Sequence, residues 1–344
     1  MQRYSRSLED WFLKNRRILP WRRDKNPYHV WISEVMLQQT RIEAVISYYE
    51  RFMEALPDVF SLAMVSEDKL LKLWEGLGYY NRARNLKKAA IKIVEEYGGI
   101  FPTTYSEIIQ LPGIGEYTAG AISSICFGEN QVTVDGNVMR VFTRFYNDSS
   151  NISKDSTKKK IHDTLLSMIS GDAGNFNEGL MELGEVICIP NGMPKCDVCP
   201  LKEGCLSYQN SNYYLFPVKD EKKVKEEVDM TVIIPIWQGK TLVRKRKSPG
   251  LLHNLYEFPN MVGNKSVEEV REWSLEFGIV ENIKKSIYYT HVFTHKKWKM
   301  QAYFVTFESV NCQDMFYRIS EVEERFALPT AFSPFLYQLK EELK

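Results

Sequence analysis

The sequence predicts two domains of unlike class, an all-α domain over residues 1–216 and an α+β domain over residues 229–344. Three observations predict this. Apolar residues recur at helical spacing through the first 210 residues. Beyond residue 228 they gather instead into short runs rich in Val, Ile, Tyr, Phe and Thr. Between the two, residues 217–228 (PVKDEKKVKEEV) are mostly charged and lack aromatics, which suits a solvated linker or, nearly as well, a short exposed helix.

Taken in order, residues 28–56 and 67–97 carry the helical period. Ser106 to Ile125 reads as a short helix, a break at Leu111-Pro-Gly-Ile-Gly115, and a second helix rich in small residues. A further helix over Phe176–Ile187 leads into four cysteines. In the second half, strands are expected at 229–237, 241–244, 287–294 and 298–307. A helix is expected at 266–278, with a Ser cap, early acids and Gly278 past its end. The tail from Thr330 is helical again.

Composition excludes several classes. With 44% hydrophobic and 13% aromatic residues the chain has ample core and is not a disordered segment. Its longest apolar runs fall far short of the ~20 residues that span a bilayer. The start, MQRYSRSLEDWF, lacks the apolar stretch of a leader, so a cytoplasmic protein with no membrane partner is expected. Lys+Arg 45 against Asp+Glu 44 leaves a net charge of +1, not the footprint of a strongly basic nucleic-acid binder. Any DNA contact would have to rest on local charge, backbone amides and inserted side chains.

Four sequence features carry chemistry. In Leu111-Pro-Gly-Ile-Gly-Glu-Tyr-Thr-Ala-Gly120, Gly113 and Gly115 permit a tight turn that opens straight into a helix, so free N–H groups point outward and suit a phosphate. Asp135 in Val134-Asp-Gly-Asn-Val138 is either a turn residue or N-cap, or one carboxylate of a catalytic pair. Its candidate partner is Glu34, set among apolar Ile32, Val35, Met36 and Leu37, where desolvation raises its pKa and keeps a proton available. One buried and one turn-exposed carboxyl suit cleavage of a glycosidic bond. Cys188, Cys196, Cys199 and Cys205, spaced C-x7-C-x2-C-x5-C, read as metal ligands for an iron–sulfur cluster or for zinc.

Together with LPWR (19–22), SEVMLQQT (33–40) and GLGYYNRARNL (76–86), these motifs resemble the MutY-type adenine DNA glycosylases of the endonuclease III, helix-hairpin-helix superfamily. The resemblance covers nearly the whole chain. It implies a helix-hairpin-helix glycosylase domain with an iron–sulfur loop, followed by a Nudix-like α+β domain. It implies a monomeric repair enzyme that flips adenine out of duplex DNA opposite 8-oxoguanine or guanine and hydrolyses its glycosidic bond.

Residue by residue, the resemblance makes Glu34 the general acid and Asp135 the carboxylate facing the sugar, with Asn137 a positioning group beside it. Trp21, Arg22, Leu37 and Glu178 match the adenine pocket. Gln39 and Tyr79 match residues that wedge into the duplex, and Gly113 and Gly115 match the backbone contacts of the hairpin. Tyr117 stands where bifunctional relatives carry a lysine. A tyrosine forms no Schiff base, so a glycosylase without strand cleavage is implied, rather than an endonuclease III-like lyase. The four cysteines match the ligands of one 4Fe-4S cluster, with one residue more than usual between Cys188 and Cys196.

The second half resembles a Nudix domain through Gly250-Leu-Leu-His-Asn-Leu-Tyr-Glu-Phe-Pro259 and Arg271-Glu-Trp-Ser-Leu-Glu-Phe-Gly-Ile279. Leu275 replaces one of the paired glutamates, which speaks against a pyrophosphatase tethered to DNA by its helical domain. Phe293-Thr294-His295 match the loop that reads 8-oxoguanine.

Overall fold

The computed structural model describes residues 2–221, 224–248 and 250–344, and it divides into two compact units. The first comprises Met1–Met64 and Asn85–Glu221, the second Val65–Arg84 and Lys222–Lys344. The expected order, helical and then mixed, holds.

The first unit is helical. Its central member, the helix Ala173–Val186, packs between Gln2–Asn15, Glu116–Phe127 and Gly136–Tyr146. Two glycines allow that closeness: a Cβ at Gly179 would press on Leu8 and Phe12, and one at Gly184 would meet Asn137 Cβ at 2.7 Å. The core gathers Leu8, Val138, Phe142, Ile161, Phe176 and Leu183. Among the described residues no helix is long and apolar enough to cross a membrane.

The second unit is built on a mixed sheet whose strands are β1 (Glu226–Trp237), β2 (Lys240–Leu242), β5 (Asn260–Val262), β6 (Gly278–Val292), β7 (Lys296–Val310) and β8 (Phe316–Tyr317). Their order is β6-β7-β1-β2-β8, with β5 also pairing β1, while β3 (Arg244–Lys245) and β4 (Tyr256–Glu257) form a separate ribbon. β1 and β7 run parallel, from Glu226 opposite Lys296 to Ile236 opposite Thr306. Alternation sends Val232, Ile234, Met300 and Phe304 to one face, where Phe332, Phe335 and Leu339 cover them. Ile233, Val305 and Phe307 go to the other, against Val270 and Phe277. Both faces are therefore buried, and β1 reads as a nearly unbroken apolar run.

Several expected boundaries move. Of the expected linker 217–228, residues 222 and 223 lie outside the described residues, and 226–228 already belong to β1. Its first part is tied down: Val218 O accepts from Ile152 N, and Asp220 is held by Asn151 and Ser153. The helix expected at 266–278 ends at Ser274, and Gly278 opens β6 rather than capping the helix. β6 starts nine residues before the expected strand, because its first half (GIVENIKKS) is largely solvent-facing and lacks an apolar alternation.

The largest departure is Val65–Arg84, which lies in the helical half of the sequence but belongs to the second unit. Polar ties hold it there. Glu67 Oε1 accepts from Arg84 Nε at 2.9 Å and from Asn254 Nδ2 at 3.2 Å. Lys72 Nζ donates to Phe326 O at 3.0 Å, and Leu328 N to Glu75 Oε1 at 2.8 Å.

Candidate active site

The helix Pro27–Leu37 starts on Asn26, whose side chain accepts from Tyr28 N, and has Pro27 in its first turn. Val30 to Met36 are all buried, so the helix is apolar on every side and lies in the interior. Glu34 is carried inward with it and is 7% exposed. Its Oε2 has no hydrogen-bond partner.

Asp135 is placed by a different device. Fully buried Asn177 accepts from Thr133 N at 3.0 Å and donates to Gln131 O and Ser124 Oγ, pinning the extended segment that arrives at Asp135. Asp135 then N-caps the helix Gly136–Tyr146, with Oδ1 accepting from Val138 N at 2.7 Å. Its Oδ2 accepts from Asn137 Nδ2 at 3.1 Å, and Asn137 Oδ1 accepts from Arg140.

Both carboxyls line one cavity of about 770 Å³, together with Trp21, Arg22, Leu37, Gln39, Gly115, Tyr117, Asn137 and Glu178. Trp21 is buried edge-on against Tyr49, ring centroids 5.3 Å apart. Arg22 donates Nε to Glu178 Oε1 at 2.7 Å and Nη1 to Glu182 Oε2 at 3.0 Å. Glu182, 1% exposed, also takes a bidentate pair from Arg17 at 2.7 and 3.1 Å. Arg17 and Glu182 are site residues that sequence reading missed. Glu182 falls four residues after Glu178 on the same helix, a spacing that places both on one face.

Burial pushes the Glu34 carboxyl up to about 7. The Tyr117 hydroxyl and the charge of Arg22 oppose that shift, whereas Glu178 and Asp135 add to it. The Tyr117 hydroxyl lies 3.0 Å from Met181 Sδ as well as within reach of Glu34, and an ionised carboxylate is the stronger acceptor of the two. Asp135 is also raised: burial outweighs the Val138 N–H and the charge of Arg140. Asp135 is half-buried at its N-cap turn, less deeply than Glu34, and both its oxygens are hydrogen-bonded whereas Glu34 Oε2 is not. Burial raises Glu178 against the pull of Arg22. Glu182 is buried too, but hydrogen bonds and charge from Arg17 and Arg22 hold it below the usual range. An acid whose pKa burial raises to about 7, a hydrogen-bonded carboxyl and a paired arginine thus share one cavity, which equips it for proton delivery to a leaving group and for opposing positive charge.

The hairpin lies on the same unit. Gly113 has φ +77°, and a Cβ there would meet Asn85 Cβ at 2.4 Å, so turn and packing both require glycine. Gly115 N-caps the helix Glu116–Phe127 with open space around it. Cys188, Cys199 and Cys205 border one core, and burial, with the neighbouring thiols adding, raises Cys196, Cys199 and Cys205. Arg144 Nη1 lies 3.4 Å from Cys188 Sγ. Between Cys188 and Cys196 the stretch 190–193 is exposed, with Gly192 left-handed. Among the described residues no three His, Cys, Asp or Glu side chains are arranged to hold one metal ion.

Tyr79 and Phe293-Thr294-His295 lie in the second unit, apart from the cavity lining. Residues 293–295 form the tip between β6 and β7. Phe293 packs inward on Trp298, ring centroids 4.9 Å apart, while Thr294 and His295 are exposed. The structure joins two residues the sequence did not connect: Tyr79 Oη and Thr294 Oγ1 are hydrogen-bonded at 2.8 Å. Tyr79 and, in the first unit, Gln39 both take left-handed backbone, with φ 48° and 61°.

Residues 32–165 match the HhH-GPD superfamily of base excision DNA repair proteins, and residues 231–338 match the NUDIX domain. The chain is 36% identical over 299 residues to an adenine DNA glycosylase of Buchnera aphidicola subsp. Schizaphis graminum, covering 85% of this chain and 84% of that one. It is 32% identical over 368 residues to an adenine DNA glycosylase of Rattus norvegicus, covering 89% and 70%. A solved thermostable thymine-DNA glycosylase superposes with a TM-score of 0.55 at 28% identity, over 61% of this chain and 97% of that one. A trapped endonuclease III–DNA covalent intermediate gives 0.50 at 24%, over 60% and 94%, a likeness of fold.

Proposed function

The chain belongs to the adenine DNA glycosylases of the HhH-GPD base-excision repair superfamily, and from that premise we propose that it excises adenine paired with 8-oxoguanine or guanine by hydrolysis alone. The observation that carries this reading is the buried Glu34 carboxyl, with one oxygen unengaged, sharing a cavity with Asp135. Glu34 gives its proton to a ring nitrogen of the flipped base as the electrons of the glycosidic bond move onto the adenine. Asp135 opposes the positive charge that develops on the sugar, and water completes the hydrolysis at the anomeric carbon. Asn137 fixes the Asp135 carboxylate through its 3.1 Å bond.

Trp21, Leu37, Arg22 and Glu178 hold the base, and the hairpin amides around Gly113 and Gly115 take the DNA backbone. Gln39 and Tyr79 enter the duplex, and Thr294, flanked by Phe293 and His295, reads the 8-oxoguanine opposite the adenine. Tyr117 in the cavity, rather than a lysine, supports the absence of strand cleavage. In the second unit Glu257, from the first Nudix-like stretch, is taken up in an ion pair with Arg246 at 2.6 Å. The enzyme acts as a monomer on duplex DNA.

Cys188, Cys196, Cys199 and Cys205 fit a 4Fe-4S cluster by donor chemistry: four soft sulfurs on one short loop, with Arg144 Nη1 3.4 Å from Cys188 Sγ. Such a cluster supplies cross-linking of that loop, outside the proton chemistry. Metal analysis of anaerobic protein should give about four irons per chain; one zinc and no iron overturns the assignment.

The test of function is single-turnover base release from duplexes with A opposite 8-oxoguanine, G and T. Release from the first two, with strands left intact, is expected. Equal release opposite T, or direct scission, overturns the reading.

A further inference from the structure

The loop that presents Tyr79 is held in an unfavourable shape. Gly76, Gly78 and Tyr79 all have positive φ, at 98°, 68° and 48°. Glycine adopts this freely, whereas tyrosine does so at a cost that its surroundings must offset. Those surroundings centre on Arg82, one helical turn further on. Its Nη2 donates to Leu77 O at 2.9 Å and to Gly78 O at 3.1 Å, the two carbonyls preceding Tyr79. Its guanidinium lies over the Trp74 ring at 5.3 Å and the Tyr79 ring at 5.6 Å. Trp74 Nε1 donates to the same Gly78 O at 3.1 Å. The Tyr79 hydroxyl then meets Thr294 Oγ1.

We propose that Arg82 is a positioning residue for lesion specificity: by tying the Leu77 and Gly78 carbonyls and stacking on Tyr79, it sets the Tyr79 hydroxyl against Thr294 and presents the two as one preformed reading unit. This rests on the reading that Tyr79 and Thr294 face the 8-oxoguanine. Engaged with Tyr79 on one side, the Thr294 hydroxyl has its remaining hydrogen-bonding capacity directed outward, so a base would meet an oriented group rather than a rotating one. Burial brings the Arg82 guanidinium down to about 10, in keeping with a group committed to the protein interior.

The experiment measures single-turnover release opposite 8-oxoguanine and opposite guanine for wild type, R82K, R82Q, Y79A and Y79A/R82Q, with thermal melts of each. We expect R82Q to lower the 8-oxoguanine preference about tenfold, the scale of losing one or two orienting hydrogen bonds. R82K should recover little, since an ammonium cannot span both carbonyls while stacking on two rings. Y79A and Y79A/R82Q should show the same reduced preference, because Arg82 acts through Tyr79. An unchanged preference in both R82K and R82Q, or a further loss in the double variant, overturns the proposal. If Y79A itself keeps the full preference, the underlying reading of Tyr79 fails instead. Should R82Q not fold, R82K alone decides.

Discussion

Each unit buries a glutamate, and the two are treated in opposite ways. Glu34 lies in an all-apolar helix with one oxygen unengaged, and burial pushes it up to about 7. Glu257, 4% exposed in the second unit, is bound by Arg246 at 2.6 Å with Arg244 at 3.9 Å. The residue type is the same and the depth similar, so burial alone does not make a carboxyl reactive. What differs is whether a cation holds its charge. A carboxyl with an unengaged oxygen in the interior has its pKa raised and its proton available for transfer, whereas one bonded by arginines is tied into the fold.

This contrast is open to direct attack. The largest effect expected is on E34Q, which should lose at least ~10²–10⁴-fold in single-turnover base release, the usual worth of a general acid, while binding DNA normally. Near-wild-type release would remove the distinction altogether. E257Q should do the reverse: base release per folded molecule stays, while denaturant melts show a loss of about 3 kcal/mol as Arg246 is left without its partner.

The pH dependence sharpens the point. Release should be steady below about 7 and fall above it as Glu34 ionises. It should also fall at acid pH, at a value above that of an ordinary aspartate, as Asp135 gains a proton. Glu34 also costs stability. In the unfolded chain it ionises near 4.5, whereas in the fold it does so near 7. Stability therefore declines as pH rises between those values, by at most about 3 kcal/mol. E34Q should flatten that decline, so that the inactive variant melts above wild type at pH 8 and not at pH 4. The smallest effect is a gain: Y117K should form a trace of covalent adduct with abasic DNA, trapped by borohydride, if residue 117 faces the sugar.

Much of this contrast is legible in the sequence. The apolar neighbours of Glu34 announce its burial, and Asp-Gly ahead of a helical period announces the N-cap at Asp135. What escapes is whatever depends on distant partners. The turn motif at Asp135 says nothing of Asn177, which pins the segment leading to it from more than 40 residues further along the chain. Glu182 goes unnoticed in the sequence because Arg17 and Arg22, which reach it, lie over 150 residues away in the chain. The helical period read over 67–97 holds for Glu67–Leu73 and Asn81–Tyr97 but is broken by a loop at 74–80, and no local signal tells that Glu67, Lys72 and Glu75 will find Asn254, Phe326 and Leu328. The first half of β6 is missed because a solvent-facing strand carries no apolar alternation.

The split composition of the second unit has a consequence for biosynthesis. Val65–Arg84 leaves the ribosome well over a hundred residues ahead of the strands it packs with. At roughly 5–20 residues per second it must wait on the order of ten seconds, its polar groups satisfied by water or by a chaperone. The hydrogen-bonded pair of Tyr79 and Thr294 is thus assembled only after β6 and β7 have emerged.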